Sequence, residues 1–239
     1  EFKKRVNRKI LPRLRYTLSL KAYFNSIFKG PQISKLYKHY NSDTITFLNH
    51  GRTGLRLLLS SLGPTKKKVG VQAYTCHTVF QSIKNAGHEI VFLDIDDNLQ
   101  IVESDLKAKI DKLDVIIFTH LFGIHQDIEK FRQIICDKII IEDCTHSFLT
   151  KYKNEYTGKL GHASFFSFGH GKFTPIGQGG FTIINDSSFF PLFDTELKKL
   201  NPESFRSEIS HIIKLLMVSS FIRMIRFNKK IFTKVKDFS

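Results

Sequence analysis

From Thr44 onward the chain alternates short β-branched runs with amphipathic stretches, and this alternation limits what it can fold into more than any single motif does. ITFL leads to a turn at Asn49-His50-Gly51 and then to a helix with Leu55, Leu57, Leu58, Leu59 and Leu62 on its buried side, closed by Gly63-Pro64. KKVGVQAYTCHTVFQSIKNAGHEIVFLDID reads as strand, helix and strand, with Gly87 stopping the helix. Glu103 to Ile110 is the next helix, VIIFTHLFG a strand, Asp127 to Cys136 a helix and KIIIEDC a strand. Strands separated by helices are expected to lie mostly parallel, because a parallel connection must cross over and its helix covers a face of the sheet. The fold class that follows is α/β, three layers α/β/α around a mostly parallel sheet.

Length and charge set the outer bounds. The chain has 239 residues, 41% of them hydrophobic, enough for one large α/β core. Its net charge of +15 suggests at first a nucleic-acid or membrane-surface binder. The distribution argues against both. Residues 1–40 hold eleven Lys/Arg against one acid, residues 211–239 hold seven against one, and the middle holds nineteen against twenty. A basic N-terminal arm (1–40) with helical pieces broken at Pro12 and Gly30-Pro31 is therefore expected to precede a neutral body (41–190). An amphipathic, basic helical segment (191–239) follows, best developed from His211 to Phe227.

Cys76, Cys136 and Cys144 form no CxxC pair, which argues against a disulfide framework and a zinc site and suits a reducing cytoplasm. No secretory signal and no apolar run long enough to cross a bilayer is read from the sequence.

The chemistry concentrates between Ile139 and Ile184. III ends in Glu142 and Asp143, so a buried strand delivers a carboxylate to the C-terminal edge of the sheet, where open α/β sheets place ligands. Glu142 alternates to the other face, leaving Asp143 as the candidate. Downstream, Lys172 lies between two β-like runs, Ser164 to Phe168 and Gly180 to Ile184, in a loop containing Gly169, Gly171, Gly177, Gly179 and Gly180. A strand-end carboxylate and a loop lysine are what a pyridoxal phosphate (PLP) enzyme needs. The amine bonds the cofactor aldehyde, and the aspartate keeps the pyridine nitrogen protonated. The turn His50-Gly51-Arg52-Thr53-Gly54 opens a helix, whose free N–H groups suit a phosphate, with the Thr53 hydroxyl as a further donor. Taken singly, each feature also has an ordinary structural reading. Small residues open many helices, carboxylates commonly end strands, and His146 and Ser167 could merely satisfy a loop and a strand end.

Together these residues resemble the DegT/DnrJ/StrS family of PLP-dependent sugar-nucleotide aminotransferases. The blocks that carry the resemblance are HGRTGL, VGVQAYTCHTVFQSIKNAGHEIVFLDID, THLFGIHQDIEKF, IIIEDCTHSF and GKLGHASFFSFGHGKFTPIGQGGF, spanning roughly Thr44 to Asp186. The most specific is Ser167-Phe168, three residues and then Lys172. The resemblance implies the large domain of the type I aspartate-aminotransferase fold over 41–190. It implies Lys172 as Schiff-base residue and proton shuttle, Asp143 at the pyridine nitrogen, and His146 beside the ring hydroxyl. Gly51, Arg52, Thr53 and Ser167 then fall at the phosphate. Cys76 stands where the family often has an aromatic residue stacked on the ring, with Tyr74 as an alternative stacking residue.

It further implies an amino acid donor such as glutamate, a keto-sugar linked to a nucleotide diphosphate as acceptor, a role in polysaccharide or amino-sugar biosynthesis, and a homodimer. Lys172 in register, rather than a histidine, favours transamination over dehydration. Two departures stand out: Gln178 replaces the usual acid before Gly179-Gly180, and the family's C-terminal small domain is not found within 191–239. A catalytically silent remnant acting as a subunit or binding module is the alternative expectation.

Overall fold

The structure, a computed structural model, describes residues 33–169, 171–172 and 178–201, with isolated positions from 204 to 217. The arm over 1–32 and most of the 211–227 segment lie outside the described residues. In chain order the elements are α1 (Ile33–Tyr40), β1 (Ile45–Leu48), α2 (Gly51–Ser60), β2 (Lys68–Gln72), α3 (His77–Asn85), β3 (Glu89–Leu93), α4 (Glu103–Lys109) and β4 (Val115–Thr119). There follow α5 (Ile128–Ile135), β5 (Ile139–Asp143), β6 (Lys151–Tyr152), β7 (Glu155–Tyr156), β8 (Ala163–Ser167), β9 (Gly180–Ile184) and α6 (Phe193–Lys198).

Seven strands form one sheet in the order β1-β9-β8-β5-β4-β2-β3. The pairings β2/β3, β2/β4, β4/β5 and β5/β8 are parallel, whereas β8/β9 and β9/β1 are antiparallel. The mostly parallel α/β sheet expected from the alternation is therefore what forms. The central strands are buried on both sides, and period-two alternation sorts their side chains into two cores. Val115, Ile117, Ile141 and Phe165 pack with Leu55, Leu58, Leu59 and Ile83 on one face. Ile116, Phe118 and Ile140 pack with Leu106, Ile128 and Phe131 on the other. A third cluster joins Tyr40 to Phe166, Phe181 and Ile183, so the end of α1, just before the expected start of the body, is anchored in the core.

The structure adds a small hairpin, β6/β7, between Cys144 and Ser164, where the periodicity gave no element. Its turn residues Lys153 and Asn154 have φ 45° and 74°, the left-handed pair of a tight hairpin turn.

Strands β2, β4, β5 and β8 end at one edge of the sheet, and α2 starts there, pressed onto β8 and β9. The approach is close enough to require glycine. A Cβ on Gly51 would lie 2.8 Å from Ser167 Cβ and 2.9 Å from the Phe166 carbonyl oxygen. One on Gly180 would overlap that same carbonyl and lie 2.7 Å from the Gly51 nitrogen. These neighbours are mostly backbone and cannot rotate away. Gly180→Ala is accordingly expected to cost about 1–3 kcal/mol by forcing the helix off the sheet. Urea unfolding measures this, and a loss below about 0.5 kcal/mol would show that the packing relaxes freely.

Candidate active site

At this edge lies a cavity of about 270 Å³ whose lining includes Gly51 and Arg52 from α2, Cys76 before α3, Asp143 at the end of β5, Ser167 at the end of β8, and Lys172. The sequence is folded there by simple means. Five consecutive residues of β5 are extended, so the Asp143 side chain alternates away from that of Glu142. Asp143 is 2% exposed, and one carboxylate oxygen accepts the Thr145 N–H at 3.0 Å. Gly171 takes φ 80°, and the Lys172 N–H returns to the Gly169 carbonyl at 3.2 Å. This local turn presents the lysine amine, whose Nζ lies 3.2 Å from Thr145 Oγ1 and 3.1 Å from His146 Nε2. α2 begins without a side-chain cap, since His50 makes no capping hydrogen bond, and its first residues line the cavity. An uncapped helix start has unsatisfied N–H groups and a partial positive charge, which suits an anion.

Six of the expected site residues, Gly51, Arg52, Cys76, Asp143, Ser167 and Lys172, thus meet at one cavity. His146 joins them through its contact with Lys172. Thr53 and Tyr74 are not among the residues that line it. The Thr53 hydroxyl donates to Asn49 Oδ1 at 2.8 Å, and Tyr74 is 56% exposed. Cys76 Sγ lies 3.2 Å from Thr78 Oγ1. Residues that periodicity did not single out also line the cavity: Thr78 and Ser82, one turn apart on α3, together with Thr145 and Gln178. The i, i+4 spacing of hydroxyls on the helix after β2 was the available signal for the first two.

Glu142 is the functional-looking residue with a structural task. Its side chain is fully buried, and its oxygens accept N–H groups of Gly158 at 2.9 Å, Leu160 at 2.7 Å and Gly161 at 2.6 Å. The fourth partner is His120 Nε2 at 3.0 Å; His120 Nδ1 accepts the Gln126 N–H, which places the ring proton on Nε2. Burial pushes the Glu142 carboxyl up, but the hydrogen bonds from His120 Nε2–H and from the Gly161 and Gly158 N–H groups outweigh it and hold the carboxyl below its ordinary value. Cys144 lies near this pair, and His120, Glu142 and Cys144 could in principle hold a metal ion. With four hydrogen bonds already made by Glu142, the cluster is explained without one.

A larger hollow of about 430 Å³ is lined by Asp96, Glu103, His125, Asp127 and Lys130, among others. Its acids are engaged: Asp96 accepts from the Asn98 and Gln100 N–H groups, Asp127 caps α5, and Glu103 pairs with Lys107 and Lys130. No helix among the described residues is long and apolar enough to cross a membrane.

A curated relative, GDP-perosamine synthase of Escherichia coli O157:H7, is 34% identical over 128 residues, which are 52% of this chain and 35% of that protein. Among solved structures, E. coli GDP-4-keto-6-deoxy-D-mannose-3-dehydratase with bound hydrated PLP superposes with a TM-score of 0.68 at 20% identity, over 76% of this chain and 52% of that one. The sugar aminotransferase CalS13 from Micromonospora echinospora gives 0.67 at 21% identity, over 77% and 57%. The chain therefore spans about a third of the curated relative and little more than half of these structures. The likeness to the solved structures establishes the PLP-dependent type I aminotransferase-like fold. The family model covers residues 34–192, and with the fold and the cavity it leads to one conclusion: this chain belongs to the DegT/DnrJ/EryC1/StrS aminotransferase family.

Proposed function

We propose that the chain is a PLP-dependent aminotransferase that moves an amino group from an amino acid, glutamate, to a keto-sugar carried on a nucleotide diphosphate. The observation that carries this reading is the meeting of a buried carboxylate, a lysine amine and an uncapped helix start around one cavity. Those groups fit PLP in kind: an acceptor for a protonated ring nitrogen, an amine for an aldehyde, and N–H donors for a phosphate.

When bound, PLP supplies a carbonyl carbon that amines attack and a ring that accepts electrons released at the donor carbon. Asp143 would hold the proton at the pyridine nitrogen, and its depth keeps water from competing. Gly51 and Arg52 at the start of α2, with Ser167, would bind the phosphate. Lys172 would give up its place to the donor amine and then carry a proton between the donor carbon and the cofactor carbon. Thr145 and His146 orient its amine. Cys76 would lie against the ring in place of an aromatic side chain.

The relative's name supports a nucleotide-linked sugar as acceptor and a place in polysaccharide or amino-sugar biosynthesis. Exposed Tyr74, Phe122 and Ile124 support a homodimer that covers them, and three free cysteines suit the cytoplasm. The direct test is an absorbance spectrum of the chain with PLP, before and after glutamate. A visible band that glutamate bleaches supports the proposal. A band that ignores glutamate removes that donor, and no band at all replaces the proposal with the silent-module reading.

Cys76 gives an independent test. Its thiol is exposed and lines the cavity, whereas Cys136 is exposed elsewhere and Cys144 is buried, with burial pushing its thiol up. PLP at about ten times its Kd is expected to slow alkylation of Cys76 about tenfold by occupancy and to leave Cys136 unchanged. Peptide mapping reads both sites, and equal protection of the two would remove Cys76 from the cofactor site.

A further inference from the structure

After β9 the chain packs on the core as far as Leu197 and Leu200. Beyond them the described residues behave differently. Ile209, Ile213 and Met217 are helical and 41%, 50% and 65% exposed, and none joins any of the three hydrophobic clusters. Four-residue spacing sets them one turn apart along one side of a helix, so they form an apolar row open to solvent. Arg206, Ser210 and Lys214, also helical and exposed, make the neighbouring row at the same spacing. In the sequence the apolar spacing continues to Phe221 and Ile225, accompanied by Arg223, Arg226, Lys229 and Lys230.

Charge decides what such a row can meet. Residues 211–239 hold seven Lys/Arg against one acid, so a second copy would set like charge against like charge. A nucleic acid would match the charge, but its phosphates offer no apolar phase to Ile209, Ile213 and Met217. The surface of an anionic bilayer offers both. Its headgroups pair with Arg206 and Lys214, whose apolar stems let the charges reach them, and its acyl boundary takes the row alongside. The longest charge-free apolar run in this part of the chain, over 215–222, has eight residues, against about 20 needed to cross a bilayer. Lying in the surface is the geometry that such a length allows.

We propose that the helix bearing Ile209, Ile213 and Met217 docks the chain on an anionic phospholipid surface, with those three side chains in the acyl boundary and Arg206 and Lys214 at the headgroups. The neutral body over 41–190 takes no part in the attachment, which is independent of the transfer reaction proposed above.

The test is cosedimentation of the full chain with vesicles of phosphatidylcholine alone and of an equimolar mixture with phosphatidylglycerol, at about 0.05 M and about 0.5 M salt. Binding is expected on the anionic vesicles at low salt, with affinity at least about tenfold lower at high salt or on phosphatidylcholine alone. Lys214→Gln is expected to weaken it about fivefold, the share of one cation at the surface. Ile213→Ser with Met217→Ser keeps every charge and is expected to weaken it about tenfold, because each side chain still has at least half its surface to bury. These positions are exposed and outside the hydrophobic clusters, so the body is expected to keep its fold, which circular dichroism and urea unfolding check.

Full binding by the double variant would mean attraction of charge alone and overturns the proposal. Tighter binding to duplex DNA than to the anionic vesicles overturns it in favour of a nucleic acid. Failure to bind either vesicle overturns it as well, and sedimentation velocity then tells whether a second copy covers the row, through a dimer that the double variant loses. No arm involves PLP or turnover, so failure of the proposed function leaves this result untouched.

Discussion

Lys172→Ala is expected to abolish the visible absorbance that the chain acquires with PLP and to lower amino transfer by at least about 10³-fold. The lysine amine is the nucleophile in the proposed reaction and also the group that carries the proton, and proton transfer alone contributes about 10²–10⁴-fold. The substitution leaves the fold intact on physical grounds. Lys172 lies in a loop after β8, its Nζ contacts are to Thr145 Oγ1 and His146 Nε2, and its backbone hydrogen bond to Gly169 survives truncation. Phosphate and ring contacts from Gly51, Arg52, Ser167 and Asp143 would remain, so PLP is expected to bind Lys172→Ala reversibly, without the visible band. The measurement is a pair of spectra at matched PLP occupancy, with turnover of glutamate alongside. A band of equal strength in the variant would mean that another amine bonds the cofactor, and the assignment of Lys172 would fall.

Glu142→Gln is expected to destabilise the chain by about 3 kcal/mol or more at neutral pH, although Glu142 lies one residue from the candidate catalytic carboxylate. Three backbone N–H groups and His120 Nε2 converge on its two oxygens in a fully buried position. An amide offers one oxygen and sets an NH₂ against the remaining donors, leaving buried N–H groups unpaired at about 1–3 kcal/mol each.

The pH dependence carries the sign. The folded carboxyl is held below its ordinary value, against about 4.3 for an unfolded glutamate. Its contribution is therefore complete above the unfolded value and is lost as pH falls through the lower folded one. Urea unfolding of wild type and variant should differ most near pH 7 and converge in acid. A gap below about 1 kcal/mol at neutral pH, or one that does not change with acidity, would show that the loop over 158–161 does not depend on this carboxylate. The same variant separates the neighbouring residues, because Asp143→Asn is expected to impair PLP binding with a much smaller loss of stability.

How much of this was legible beforehand differs from element to element. The strands Val115–Thr119 and Ile139–Asp143 were readable because buried parallel strands are continuous β-branched runs, and Gly180–Ile184, antiparallel to both neighbours, was readable from its Thr-Ile-Ile run. Asp143, Lys172 and the Gly51-Arg52 turn were singled out because PLP chemistry would need such groups at a strand edge, a loop and a helix start, and the structure brings them to one cavity. The separation of Glu142 from Asp143 followed from alternation alone. The destination of Glu142 did not. Its partners come from His120 and from residues 158–161, and no local pattern brings these together. The β6/β7 hairpin was missed for a related reason: two-residue strands are too short to show a period. Thr53 was expected at the phosphate from its place in the turn; in the structure its hydroxyl donates to Asn49, a contact that the turn pattern did not show.

By itself, then, the sequence determined the alternating α/β architecture and singled out Lys172 and Asp143 as the candidate lysine and carboxylate, since each follows from periodicity or from the chemistry of one residue type. Only the tertiary structure decided which side chains meet. It set Cys76, Ser82 and Gln178 around one cavity, gave Glu142 four donors, and turned Phe122 back upon His146. Those contacts join residues up to more than a hundred positions apart. Their distances are set by the packing of helices on a sheet and by the need of every buried polar group for a partner, conditions that exist only once the chain has closed on itself.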